Sequence, residues 1–193
     1  VTLILGGCLP VNLYLCTYFF NYVLIEDFQF SPSRVMLINS ITILLWIFFF
    51  PIMGAISDLI GKRVLMIVSS LVTIVFSYPL FYFIGTSDMS IKKIVVFQAI
   101  MAIIGTAYAA PSLTYLATLF PPNVRHSGIS FFFNLGQAFL GSTTPLISTF
   151  LVTRIGYIAG PAFYLIFTGF LCFLALLVAR NCSGADTVLR TKQ

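Results

Sequence analysis

Residues 54–63 read Gly54-Ala55-Ile56-Ser57-Asp58-Leu59-Ile60-Gly61-Lys62-Arg63 and close an apolar run that begins near Val35. The string puts a carboxylate, two glycines and two adjacent cations at one end of a membrane-length stretch. Gly54 and Gly61 lack a Cβ and so permit tight turns and close helix approach. Asp58 is expected to cap the start of the next helix and to face its positive end. Lys62 and Arg63 stand where a phospholipid head group or a partner carboxylate would hold them. A lone Gly-Lys-Arg turn would read as an ordinary interhelix loop. The whole ten-residue string after a span reads as a functional loop.

Outward from this loop, the chain of 193 residues divides into six uncharged apolar stretches, at about 3–25, 35–56, 64–85, 94–120, 128–153 and 157–178. Crossing a bilayer core takes roughly 20 apolar residues in a helix. The joints are short and polar: Glu26, Asp27 and Arg34; the 54–63 loop; Asp88, Lys92 and Lys93; Pro121 to His126; Arg154; and a tail from Arg180. With 60% hydrophobic and 8% charged residues, and a mean hydropathy of +1.06, no soluble surface can be built, since soluble domains carry about 25% charged residues. In lipid only helices or closed barrels satisfy the backbone. Barrel strands alternate apolar and polar residues over about ten positions, and these runs do not alternate. The chain is therefore expected to be an all-α polytopic membrane protein.

The net charge of +5 does not mark a nucleic-acid binder, because the cations lie singly or in pairs at the ends of apolar runs. That is where topology signals sit. Lys62, Arg63, Arg125, Arg180, Arg190 and Lys192 fall on one side, against Arg34, Lys92, Lys93 and Arg154 on the other. Six against four places the 54–63 loop, the C-terminus and the N-terminal end in the cytoplasm. Cys8, Cys16, Cys172 and Cys182 have no metal-ligand spacing and read as structural. No metal or cofactor is called for. An enzyme is not expected either: there is no GxSxG with a membrane histidine, no HExxH and no pair of aspartates within spans.

Polar residues inside spans face a bundle interior or a water-filled cavity. Tyr14, Thr17, Tyr18 and Asn21 recur at spacings of three and four, which places them on one helix face. Gln98 and Tyr108 lie in the fourth span, and Asn134 and Gln137 in the fifth. Each could instead serve only to hydrogen-bond neighbouring helices. Ser127 is a candidate cap for the fifth helix, and His126, the only histidine, reads as a solvated loop residue rather than a pH sensor. Arg125 could hold a helix end or bind lipid phosphate. No Asp, Glu, Lys or Arg falls within an expected span. Pro10, Pro51, Pro79, Pro111, Pro145 and Pro161 are expected to kink their helices.

The 54–63 string resembles the cytoplasmic loop signature of the major facilitator superfamily, with Leu59 where that pattern is often basic. A second stretch, Leu119-Phe120-Pro121-Pro122-Asn123-Val124-Arg125-His126-Ser127-Gly128 followed by Asn134, Gly136, Gly141 and Thr144-Pro145, is similar to a segment of the metabolite:proton symporter family. Proline/betaine and α-ketoglutarate permeases belong to that family. Thr118, Pro122 and Phe133 depart from its pattern.

The resemblance implies one half of a major facilitator superfamily fold, helices seven to twelve of a whole carrier. Residues 1–180 would form the six-helix domain, as inverted repeats of about 1–87 and 88–180, with 181–193 a cytoplasmic tail. In that fold the first and fourth helices of the half line a central cavity, which makes Tyr14, Thr17, Tyr18, Asn21, Gln98 and Tyr108 the candidates for contact with substrate. It further implies proton-coupled symport of a small polar metabolite, such as an osmolyte or organic acid, in a bacterial inner membrane. A proton site needs an ionisable group at membrane depth, so it is expected in a missing N-terminal six-helix half. The start at Val1, without methionine or leader, reads as a truncation or internal start. A non-transporting fragment of a split or degraded gene is thus the rival expectation.

Overall fold

The computed structural model describes residues 1–26, 28–85, 90–155 and 160–190, with the side chains of 85, 155 and 180–190 left aside. Asp27, Asp88, the expected sixth-span start at Tyr157 and the tail residue Lys192 lie outside the described residues, as do the side chains of Arg180, Cys182 and Arg190. Among the described residues all regular structure is helical. Helix α1 (Thr2–Tyr14) passes through a π-helical turn, Leu15–Phe19, into α2 (Phe20–Glu26), and together these make the first span. The second, third and fourth spans are α3 (Pro32–Ile60), α4 (Lys62–Gly85) and α5 (Ile91–Thr118). The fifth is built in pieces: a 3₁₀ turn Pro122–Val124, α6 (Arg125–Gly136), a π-helical turn Gln137–Gly141 and α7 (Thr144–Ile155). Helix α8 (Gly160–Arg190) carries the sixth and continues well past the expected end at Val178. Among the described residues six helical stretches are long and apolar enough to cross a bilayer, as the hydropathy pattern requires.

Two local expectations are overturned. The glycine-rich loop is almost absent, because α3 runs through Gly54 and Asp58 to Ile60 and α4 begins at Lys62. The reversal rests on Gly61 alone, whose φ of 96° is open to glycine and costly to other residues. Its N–H closes α3 onto Ser57 O at 3.0 Å, and its carbonyl accepts from Leu65 N at 3.1 Å to open α4. Asp58 therefore sits in the last turn of α3 and caps nothing. Ser127 likewise lies inside α6, whose N-cap position is Val124 with no side-chain cap. The prolines at 10, 51, 79 and 111 sit inside helices that continue beyond them.

Burial is uneven and repeats along the chain. In the first and fourth spans 61% and 67% of the apolar window is enclosed; in the second and fifth only 22% is. Helix α5 packs on α3 and α4, α1 packs on the fifth span, α5 and α8, and α4 packs on α8. At the centre Phe97 stacks on Phe20 at 5.1 Å and meets Phe81 edge-on at 5.3 Å.

Lipid tails are as apolar as these side chains, so helix association relies on close van der Waals packing and small residues. Gly7 and Gly136 supply the closest approach: a Cβ on Gly7 would stand 2.5 Å from the Gly136 carbonyl oxygen. The outward faces of the second and fifth spans carry Met36, Leu44, Phe139 and Leu146, each at least 63% exposed. In water that would be an aggregation surface; against acyl chains or further apolar helices it carries no such cost.

Candidate functional site

The first span, enclosed to 61%, has one open strip, and it is polar. Tyr14 and Tyr18 meet edge-to-face with centroids 5.5 Å apart and planes at 74°. Tyr18 is 63% exposed and Tyr22, one turn further, is 48% exposed. Thr17 and Asn21 are half-buried beside them. Both bond backward along their own helix: Thr17 Oγ1 donates to Leu13 O at 2.7 Å, and Asn21 Nδ2 donates to Thr17 O. The Asn21 side-chain oxygen has no partner. The strip thus offers phenol edges and a half-buried hydroxyl, with no charge, while the amide oxygen of Asn21 is enclosed. Tyr22 extends it beyond the expected set, and the repeat of tyrosine at 14, 18 and 22 was the signal in the sequence that pointed to it.

Gln98 and Tyr108 do not share this strip. Gln98 is 1% exposed and Tyr108 8%. They are interhelical ties, and the reason is a local failure of the α-helical ladder. In the π-helical turn, Phe20 N–H turns to Leu15 O, five residues back, away from the Cys16 carbonyl that an α-helix would give it. Gln98 Nε2 reaches that carbonyl at 3.2 Å. Tyr108 Oη donates to Leu5 O at 2.9 Å. The fourth span thereby holds the first at two heights. Beside them Trp46 lies against Gly105, where a Cβ would stand 2.5 Å from the indole. The Gln98 side-chain oxygen and the Trp46 indole N–H have no partner.

At the opposite end of the second span, the residues of the signature string divide in the same way. Gly54 has nothing within 4 Å of the place its Cβ would occupy. Asp58, 71% exposed, pairs with Lys62 at 4.0 Å across the Gly61 turn. Arg63 turns inward and donates to Leu176 O from Nε at 3.2 Å and from a terminal nitrogen at 2.6 Å, tying the third span to the sixth. Arg125 opens α6 half-buried, its Nε enclosed and without a hydrogen-bond partner. His126 and Asn134 are exposed. Among the described residues no group of three or more His, Cys, Asp or Glu side chains could hold a metal ion.

A bundle of six apolar, membrane-length helices with an uncharged polar strip on its first span, and cations gathered at the helix ends, is an integral membrane protein. Residues 2–187 match the model of the Major Facilitator Superfamily, and the chain belongs to that family. The ectoine/proline transporter ProP of Corynebacterium glutamicum is 30% identical over 133 residues, 69% of this chain and 26% of that protein. The citrate-proton symporter of Klebsiella pneumoniae is 27% identical over 145 residues, 75% of this chain and 32% of that protein. The chain thus spans about a quarter to a third of the length of these relatives. No solved structure matches it at a significant level.

Proposed function

We propose that the chain works as the C-terminal half, helices seven to twelve, of a proton-coupled symporter for a small polar metabolite, an osmolyte or an organic acid. One observation carries the reading: the first span, one of the two most enclosed, keeps an open, uncharged polar strip of Tyr14, Thr17, Tyr18 and Asn21. Apolar helices surrounded by lipid gain nothing from such a strip, whereas a solute cavity at the junction of two halves needs one. The relatives favour small zwitterions and carboxylates as cargo. Burial that recurs in the order high, low, intermediate over spans one to three and four to six supports the two inverted repeats. Alternating access would then rock this half against an N-terminal six-helix half around a midplane site.

The strip carries no carboxylate, imidazole or cation, so the proton and the charged end of the solute bind on the N-terminal half. The Asp58–Lys62 turn works as the gating joint. The host is a bacterial inner membrane with the 54–63 turn and the C-terminus facing the cytoplasm, and the chain performs no covalent chemistry. The test is uptake of labelled proline, glycine betaine and citrate by membrane vesicles containing the chain, alone and paired with an N-terminal half. Uptake that follows an imposed proton gradient and collapses with a protonophore is expected of the pair. Correctly inserted protein that moves none of these solutes in either form would favour the non-transporting fragment.

A further inference from the structure

A cavity of about 40 Å³ lies among α1, α4, α5 and α8, on the far side of α1 from the tyrosine strip. At roughly 10–15 Å³ per water it holds two or three. Two of its walls are cysteines from opposite ends of the chain, Cys8 on α1 and Cys172 on α8, both buried and neither in a disulfide. Cys172 Sγ donates to Tyr108 Oη at 3.3 Å, and Cys8 Sγ lies 3.6 Å from its acceptor, Thr168 O. Two sulfurs, a phenol oxygen and a backbone carbonyl from three spans therefore converge on one small cavity.

We propose that Cys8 and Cys172 form a site for a soft divalent metal ion of the Hg(II) type. Thiolate sulfur selects soft ions over hard ones, and two sulfurs complete the coordination of an ion that prefers two ligands in line. Charge decides the valence. A divalent ion replaces the two thiol protons and leaves a neutral bis-thiolate, whereas a monovalent ion would leave a net negative charge buried in an apolar interior. The step is M²⁺ + 2 RSH → M(SR)₂ + 2 H⁺: two S–H bonds break, two metal–sulfur bonds form, no electron changes hands, and the protons leave through the cavity waters. Occupancy would clamp the first span to the sixth. Nothing in this inference depends on what the chain transports.

The full chain carrying Cys16→Ser and Cys182→Ser is purified, mixed with one equivalent of HgCl₂, desalted against excess monothiol and assayed by mass spectrometry for bound metal. About one Hg per chain should be retained, with both remaining cysteines protected from N-ethylmaleimide. Adding Cys8→Ser or Cys172→Ser should cut retention at least tenfold, since a single thiolate exchanges with free monothiol and a chelate does not. Cys8→Ala provides a second variant, and only samples eluting as a single species in gel filtration are compared. Retention unchanged by removing either cysteine would overturn the proposal, as would no retention by the folded parent.

Discussion

The first and fourth spans carry the same kinds of polar side chain and use them in opposite ways. On the fourth, Gln98 and Tyr108 reach across to carbonyls of the first and are sealed from the surface. On the first, Thr17 and Asn21 bond back along their own helix, and Tyr18 stands open. A polar residue in a membrane helix is satisfied either by its own backbone or by its neighbour. The amide oxygens of Asn21 and Gln98 are both enclosed, and what the first span leaves open is the ring of Tyr18. On the function proposed above, the fourth span would hold the half together and the strip on the first would meet the cargo.

The strongest way to break that assignment is to crowd the fourth span. Gly105→Leu would drive a side chain into the buried Trp46 ring and toward Asn12 Oδ1, which stands 3.0 Å from the Cβ position. Overpacking of this kind costs about 1–3 kcal/mol or more. The expected result is a clearly lowered Tm and a reduced monodisperse fraction in gel filtration. An unchanged Tm would mean that the contact between the second and fourth spans is soft, and that the fourth span is free to move with cargo.

Tyr108→Phe is the milder cut, removing the hydroxyl that donates to Leu5 O and accepts from Cys172 while keeping the ring. A loss of about 0.5–1.5 kcal/mol is expected, read as a Tm shift with substrate concentration dependence unaltered. A changed apparent KM at unchanged Tm would instead return Tyr108 to the cargo site. The strip should show the mirror image. Tyr18→Ala leaves Tm within about 0.5 kcal/mol of the parent. Its apparent KM for uptake should rise roughly three- to tenfold, because aromatic contacts are worth about 0.5–1.5 kcal/mol.

The six spans were legible in the sequence because hydropathy and length decide membrane crossing without knowledge of partners. The tyrosine face was legible because residues three and four apart share a side of any helix. The roles of Gln98 and Tyr108 were not. Both depend on which carbonyl of another helix lies opposite, and for Gln98 on a π-helical turn that no composition rule marks. The 54–63 string shows the limit from another side. Its ends were recognisable, yet glycine at 54 reads the same in a loop and in a helix. Only the backbone shows that a single residue, Gly61, makes the whole reversal. The meeting of Cys8 and Cys172 is equally invisible to spacing, since the fold brings together positions from opposite ends of the chain.

The smallest expected change in stability belongs to the Asp58–Lys62 pair, and it sharpens the comparison most. The two charges are 4.0 Å apart and exposed by 71% and 39%, so the pair adds about 0–1 kcal/mol and less in salt. Asp58→Asn should leave Tm and membrane insertion essentially as in the parent. A carboxylate in the final turn of α3, where the helix dipole disfavours negative charge, contributes little to that helix, so the gating role proposed for it would be exercised in another state of the protein. Uptake by Asp58→Asn should therefore fall steeply while expression holds, and Asp58→Glu should recover part of it. Equal loss of Tm and uptake would make Asp58 a structural residue like Gln98 and Tyr108. Full activity in the Asn variant would leave Gly61, which alone sets the turn, as the functional residue of the string.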